Sequence, residues 1–187
     1  MKALMTNSAN YALSVSATTR NPRPGEENGR EYFFLTESQF EDMIKNDELI
    51  EHARYVDHYY GTPKKYVEEK MAAGKDVILE IEIQGALNIK KKFPDALLVF
   101  IVPPTAEDLK KRLTGRGTES AEVIEKRLRR AAEESDGMDS YDYIVVNDDI
   151  DTCVEDLHSL IRSSHFKESA NTDLVARMKQ ELHDMTK

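Results

Sequence analysis

The 187 residues carry 35 acidic and 26 basic side chains, a net charge of −9, with 40% apolar and 33% charged residues. These values exclude wholesale disorder, collagen-like repeats and low-complexity scaffolding, and leave room for one compact unit at roughly 100–200 residues per domain. The longest apolar run, residues 96–102, is far short of the roughly 20 residues a transmembrane helix needs, and the single Cys153 cannot form an internal disulfide, so a reducing, cytoplasmic setting is expected. The acidity argues against general nucleic-acid binding, although residues 108–130 hold eight Lys or Arg against four Asp or Glu, a local place for an anion.

Short apolar runs alternate with longer segments of helical period, the pattern of a parallel sheet with crossover helices. In chain order, the spacing predicts a strand over 11–17, then a break in the alternation over 21–60. That break carries turn residues (Pro22, Pro24, Gly25, Asn28, Gly29) and short aromatic strands at 32–34 and 59–60, the form of a ligand-binding excursion. Within it, Thr36 with Gln39 reads as a capping box, followed by an apolar stripe of Phe40, Met43, Ile44 and Leu49. A helix over 63–73 ends at Gly74, and a strand follows over 76–83. Residues 96–102 are apolar on both faces, which predicts a central strand stopped by Pro103-Pro104. Thr105 caps a helix over 107–113 that exits through Gly115-Arg116-Gly117. Another helix spans 121–134, a strand 143–146, and a helix 151–162 turns Val154, Leu157, Leu160 and Ile161 inward, with Cys153 a packed side chain beside them. The last stretch, 171–185, is amphipathic through Leu174, Val175, Met178, Leu182 and Met185, and suits packing on its own domain or on a partner, a homo-oligomer included.

Several residues carry chemistry. Arg20 and Arg23 stand in a proline- and glycine-stiffened loop, where guanidinium forks match a phosphate dianion; a solvated loop is the alternative. Tyr32 and Tyr60 lie near turns, where a phenol donates to phosphate or simply fills a core. Glu51 follows Leu49-Ile50, and Glu80 and Glu82 fall on one face of the predicted strand 76–83; acids among apolar neighbours are costly unless they meet a cation, a metal or hydrogen-bond donors. A carboxylate accepts the N1–H and exocyclic amine of guanine together, or holds magnesium through water. Arg112, Arg116, Arg127 and Arg130 flank a glycine turn, as in a basic flap over phosphates or a solvated helix pair.

Taken in order, the stretches SVSATTRNPRPGE (14–26), NGREYFF, LIEHA, YYGTP, LEIEIQGA, RLTGRGTE and YIVVNDD closely resemble the guanylate kinases over residues 11–162. The resemblance implies an α/β fold of the P-loop nucleoside monophosphate kinase type: a domain over 1–165 with its core at 1–20 and 61–165, a GMP-binding region at 21–60, a lid at about 112–130, and a helical tail at 166–187. It implies ATP-dependent phosphorylation of GMP to GDP with Mg2+. Arg20, Arg23, Tyr32 and Tyr60 would bind the GMP phosphate, with Glu26 holding that loop. Ser16, Glu51, Thr62 and Glu82 would read guanine, and Glu80 would lie toward the phosphates and magnesium. Arg20, Arg112, Arg116 and Arg127 would neutralise charge during transfer, with Arg116 and Asn147 at the ATP site.

The family also has an early strand and a Walker loop ending in Gly-Lys-Ser/Thr. The Gly-x4-Gly-Lys-Ser/Thr pattern is absent from the 187 residues, whose first glycine is Gly25. Residues 1–6 then read as the later turns of the first helix, with the strand and loop expected upstream of Met1 and transfer by the chain as given expected to be impaired. The alternative is a non-catalytic guanylate-kinase-like module that binds GMP or phosphopeptides. Nucleic-acid binding through 108–130 is the weakest reading, the whole chain being acidic.

Overall fold

The computed structural model describes residues 1–55, 57–115 and 121–186, which fall into two compact units, Met1–Pro94 and Asp95–Lys187. The sequence-predicted anion ligand Arg116 lies outside the described residues. Among the described residues no helix is long and apolar enough to cross a membrane.

The first unit opens with α1 (Lys2–Asn7), whose Leu4 is buried, and then β1 (Tyr11–Leu13), β2 (Ala17–Thr18), β3 (Phe33–Phe34), α2 (Glu37–Lys45), β4 (Leu49–Tyr55), β5 (His58–Pro63), α3 (Lys64–Ala72), β6 (Asp76–Ile78) and α4 (Ile83–Lys92). Strands β1 and β6 pair in parallel, and the others form a four-stranded sheet of order β3-β2-β5-β4. The predicted strand 11–17 is therefore two pieces in two sheets. Residues 14–16 join the parallel pair to the sheet of the excursion.

The capping box at Thr36 is present: its Oγ1 accepts from Gln39 N, and the Gln39 side chain accepts from Thr36 N. Phe40 on α2 is fully buried with Ala17 and Leu49, and its ring stacks on Tyr59 at 5.1 Å. Leu49 lies in β4 rather than on the helix stripe, because Asp47, with φ of 54°, turns the chain after Lys45 and starts a strand. Strands β4 and β5 pair antiparallel, Glu51 opposite Thr62.

The predicted strand 76–83 stops at Ile78, so Glu80 and Glu82 do not share a strand face. Glu82 instead caps α4, its carboxylate accepting from Gly85 N at 2.6 Å and Gln84 N at 3.0 Å. Two unpaired helix N–H groups recruit the acid more strongly than a short ladder would hold it.

The second unit holds β7 (Val99–Val102), α5 (Ala106–Thr114), α6 (Ala121–Ser135), β8 (Tyr143–Val146), α7 (Ile150–Ser164) and α8 (Thr172–Asp184). Strands β7 and β8 pair in parallel, and α7 packs on β8 with Cys153 and Leu157 buried. The Thr105 cap of α5 is present, its Oγ1 accepting from Asp108 N. Among the described residues β7 pairs with β8 alone, and Ile101 is 42% exposed, so the central placement predicted from the apolar run is not met there. An apolar run reports what a strand is able to bury, not how many neighbours it has. Helix α8 keeps Leu174, Met178 and Leu182 exposed.

Candidate active site

Two clusters in the first unit bring most of the sequence-predicted ligands together. The first is built on the turn after β2. Arg20 donates from both terminal nitrogens to Glu26, Nη1 to Oε2 and Nη2 to Oε1 at 3.0 Å each, and Nη1 also reaches the Asn21 carbonyl at 2.7 Å. Glu26 Oε2 accepts in addition from the Arg23 backbone N–H at 2.7 Å. One carboxylate thus fastens both arginines to a single turn, Gly25 supplying the positive φ of 85° that the turn requires. The bidentate pair holds the Glu26 carboxyl below the usual carboxylate range and strengthens the hold of Arg20 on its proton.

The Arg20 guanidinium lies 5.2 Å from the Tyr32 ring centre and 5.7 Å from that of Phe34, and it interacts with the Tyr60 hydroxyl. Tyr32 and Tyr60 meet edge to face at 6.1 Å. Burial pushes the Tyr32 phenol up, with smaller contributions from neighbours that include the exposed Glu80. The Tyr32 phenol keeps its proton at neutral pH and remains a donor. The Arg23 side chain is exposed in the same turn.

The second cluster is buried. Glu51 is 5% exposed and Thr62 0%, and Thr62 Oγ1 donates to Glu51 Oε1 at 2.7 Å. Burial and then the nearby Glu82 push the Glu51 carboxyl up, against the Thr62 hydrogen bond. Glycines let the chain close around it: a Cβ at Gly61 would sit 2.9 Å from the Glu51 backbone oxygen, and one at Gly85 2.6 Å from Glu51 Oε2. The Ser16 carbonyl accepts from Phe33 N at 2.9 Å.

The remaining candidates lie in the second unit. Arg112, near the end of α5, donates to the Asn147 carbonyl at 2.6 Å, just past β8, so these two meet. Arg127 is half-buried on α6, whose Arg130 pairs with Glu133 and Glu134, as a solvated helix face does.

Sequence reasoning missed three contributors. Thr18, fully buried, donates to the Tyr59 carbonyl at 2.9 Å and accepts from Arg20 N at 3.2 Å, which aims the arginine. Phe34 is the second ring beside Arg20. Gly85 is the third; the glycine directly after the Glu-Ile-Glu-Ile-Gln run was its signal.

The model of the guanylate kinase family matches residues 1–164. The chain belongs to the guanylate kinase family. It is 46% identical over 180 residues to the guanylate kinase of Caldanaerobacter subterraneus subsp. tengcongensis, covering 96% of this chain and 87% of that protein. It is 51% identical over 158 residues to the guanylate kinase of Lactococcus lactis subsp. lactis, covering 84% and 77%. The crystal structure of guanylate kinase from Anaplasma phagocytophilum superposes with a TM-score of 0.75 at 32% identity, covering 89% of this chain and 80% of that one. The guanylate kinase fold and family read from the motif order are thus shown.

Proposed function

We propose that this guanylate kinase binds GMP in its first unit and transfers a phosphoryl group to it from ATP. The observation that carries the reading is the pairing of an arginine–phenol cluster with a buried carboxylate. A phosphate dianion needs fixed cationic forks and hydroxyl donors, which Arg20, Arg23, Tyr32 and Tyr60 supply. The guanine edge presents two adjacent N–H donors, and a carboxylate is the side chain that accepts both. Glu51 is that acceptor, with Thr62 holding one oxygen, and Glu82 and Ser16 completing the base side. Adenine carries an acceptor at N1 where guanine carries a donor, so it leaves Glu51 facing a lone pair. Burying an unmatched carboxylate is costly, and the site rejects it.

Transfer needs no covalent nucleophile from the protein, because a GMP phosphate oxygen attacks and positioning with charge neutralisation supplies the catalysis. Arg20 holds the attacking phosphate. On the motif match, Arg112, Arg116 and Arg127 neutralise the charge that builds on the transferring group, and Arg116 and Asn147 serve ATP. Among the described residues no three His, Cys, Asp or Glu side chains gather as a metal cage. Magnesium is held mainly by nucleotide phosphates and water with one or two carboxylates, and on the motif match Glu80 lies toward them. When bound, magnesium neutralises charge on the ATP phosphates. The 187 residues contain no Gly-x4-Gly-Lys-Ser/Thr loop, so we place the strength of this chain in acceptor binding and expect its transfer to be slow.

The test is incubation of the purified chain with GMP, ATP and Mg2+ with chromatographic detection of GDP, beside GMP binding measured without ATP. The reading predicts GMP binding and GDP formation that depends on both substrates. GMP binding with no GDP at any enzyme concentration would favour the binding-module alternative, and absence of GMP binding would overturn the kinase reading.

A further inference from the structure

Residue 85 lies within the first turn of α4, where alanine is the better helix former and nothing in the backbone calls for glycine, since Gly85 has no positive φ. What calls for it is space. A Cβ built there falls 2.6 Å from Glu51 Oε2 and 3.3 Å from its Cδ, closer than side chains pack. The carboxylate has little freedom to step aside: Thr62 ties its other oxygen at 2.7 Å, and both residues are buried. The same residue uses its backbone N–H to hold Glu82 Oε1 at 2.6 Å. One residue therefore fixes both carboxylates, Glu51 by the side chain it lacks and Glu82 by its amide.

We propose that Gly85 is a positioning residue that sets the base specificity of the acceptor site, by letting the Glu51 carboxylate lie against α4 beside Glu82. This rests on the GMP reading above. A methyl group at position 85 pushes Glu51 off the line of the two guanine N–H donors. The cost falls on GMP, which uses both donors. It falls less on IMP, which lacks the 2-amino group, and least on AMP, which uses neither.

The experiment is calorimetric binding of GMP, IMP and AMP to the full chain as wild type, Gly85→Ala, Glu51→Asp and the double variant, each with a thermal melt. Gly85→Ala is expected to weaken GMP by about tenfold or more and AMP by less than about twofold, narrowing the GMP-to-IMP ratio. Glu51→Asp shortens the acid by one methylene and makes room for the added methyl. The double variant is therefore expected to bind GMP at least about threefold more tightly than Gly85→Ala alone, a recovery that a merely structural glycine does not predict. An unchanged GMP-to-IMP ratio in Gly85→Ala, or a double variant no tighter than Gly85→Ala, overturns the proposal. Should Gly85→Ala not fold, the double variant is compared with Glu51→Asp: equal or tighter GMP binding supports the proposal, and loss of binding overturns it. A wild-type chain with no preference for GMP over AMP removes the GMP reading itself, and this inference with it. A wild-type preference that Gly85→Ala leaves intact removes this inference alone.

Discussion

In the first unit, Arg20 is held by the two oxygens of Glu26, the Asn21 carbonyl and the Tyr32 and Phe34 rings, whereas in the second unit Arg112 is exposed and donates to the Asn147 carbonyl. The same contrast holds for the acids. Glu51 is buried and tied to Thr62, while Glu125 of α6 forms an exposed pair with Arg129 one helical turn away. Fixed, partly desolvated charges discriminate between ligands, because their partners are costly to mismatch; solvated charges on a helix contribute little until a ligand arrives. On the proposed function, the first unit selects the nucleotide and the second supplies cations for the transfer step.

The largest effect that tests this contrast is expected from Arg20→Ala. It removes the phosphate fork and leaves Glu26 without its partner, and GMP affinity by calorimetry should fall by about a hundredfold, at about 1.5–3 kcal/mol for each hydrogen bond to a charged group. Guanosine, which lacks the phosphate, should be affected far less.

Next is Glu51→Gln, with an expected loss of about tenfold or more in GMP affinity and a change in its pH profile. The ionised acid accepts both guanine donors, and its folded pKa is raised by burial. Wild-type affinity should therefore fall on acidification within a window above the usual carboxylate range, and Glu51→Gln should abolish that fall. The stability linkage has the opposite sign. With its folded pKa above the unfolded value, Glu51 contributes stability that is fully present below the usual carboxylate range and is lost as pH rises through the raised value. Glu26, lowered by Arg20, contributes stability above the usual carboxylate range that is lost as pH falls through its lowered value.

Thr62→Val deprives a buried carboxylate of its donor, and chemical denaturation should show a loss of about 1–3 kcal/mol with weaker GMP binding. The smallest effect is expected from Arg112→Ala, which should leave GMP affinity within about twofold while slowing transfer. A large loss of GMP affinity in Arg112→Ala would break the contrast between the units.

Much of this arrangement was legible in the residues. The capping box at Thr36 and the cap at Thr105 depend on contacts within one helical turn, which sequence spacing encodes directly. The stiffened loop carrying Arg20 and Arg23 was legible in its prolines and glycine, and motif order supplied the family and the part of Glu26 in holding that loop. Three features were not legible. Glu80 and Glu82 read as strand neighbours because their alternation with Leu and Ile has period two, while the competing force, the unsatisfied N–H groups of α4, depends on where that helix begins. The division of residues 11–17 between two sheets depends on pairing with β6 and β5, strands some 40 or more residues away in sequence. The run before Gly85 marks its position, but its role depends on the distance to Glu51, a contact across the fold.

The central claim is that the first unit selects guanine through Glu51 and holds the phosphate through Arg20. Its most direct test is titration of the purified 187-residue chain with GMP and with AMP under identical conditions by calorimetry. GMP is expected to bind at least about tenfold more tightly than AMP, with that preference lost in Glu51→Gln. Equal affinity for the two nucleotides, or a preference that survives Glu51→Gln, would contradict it.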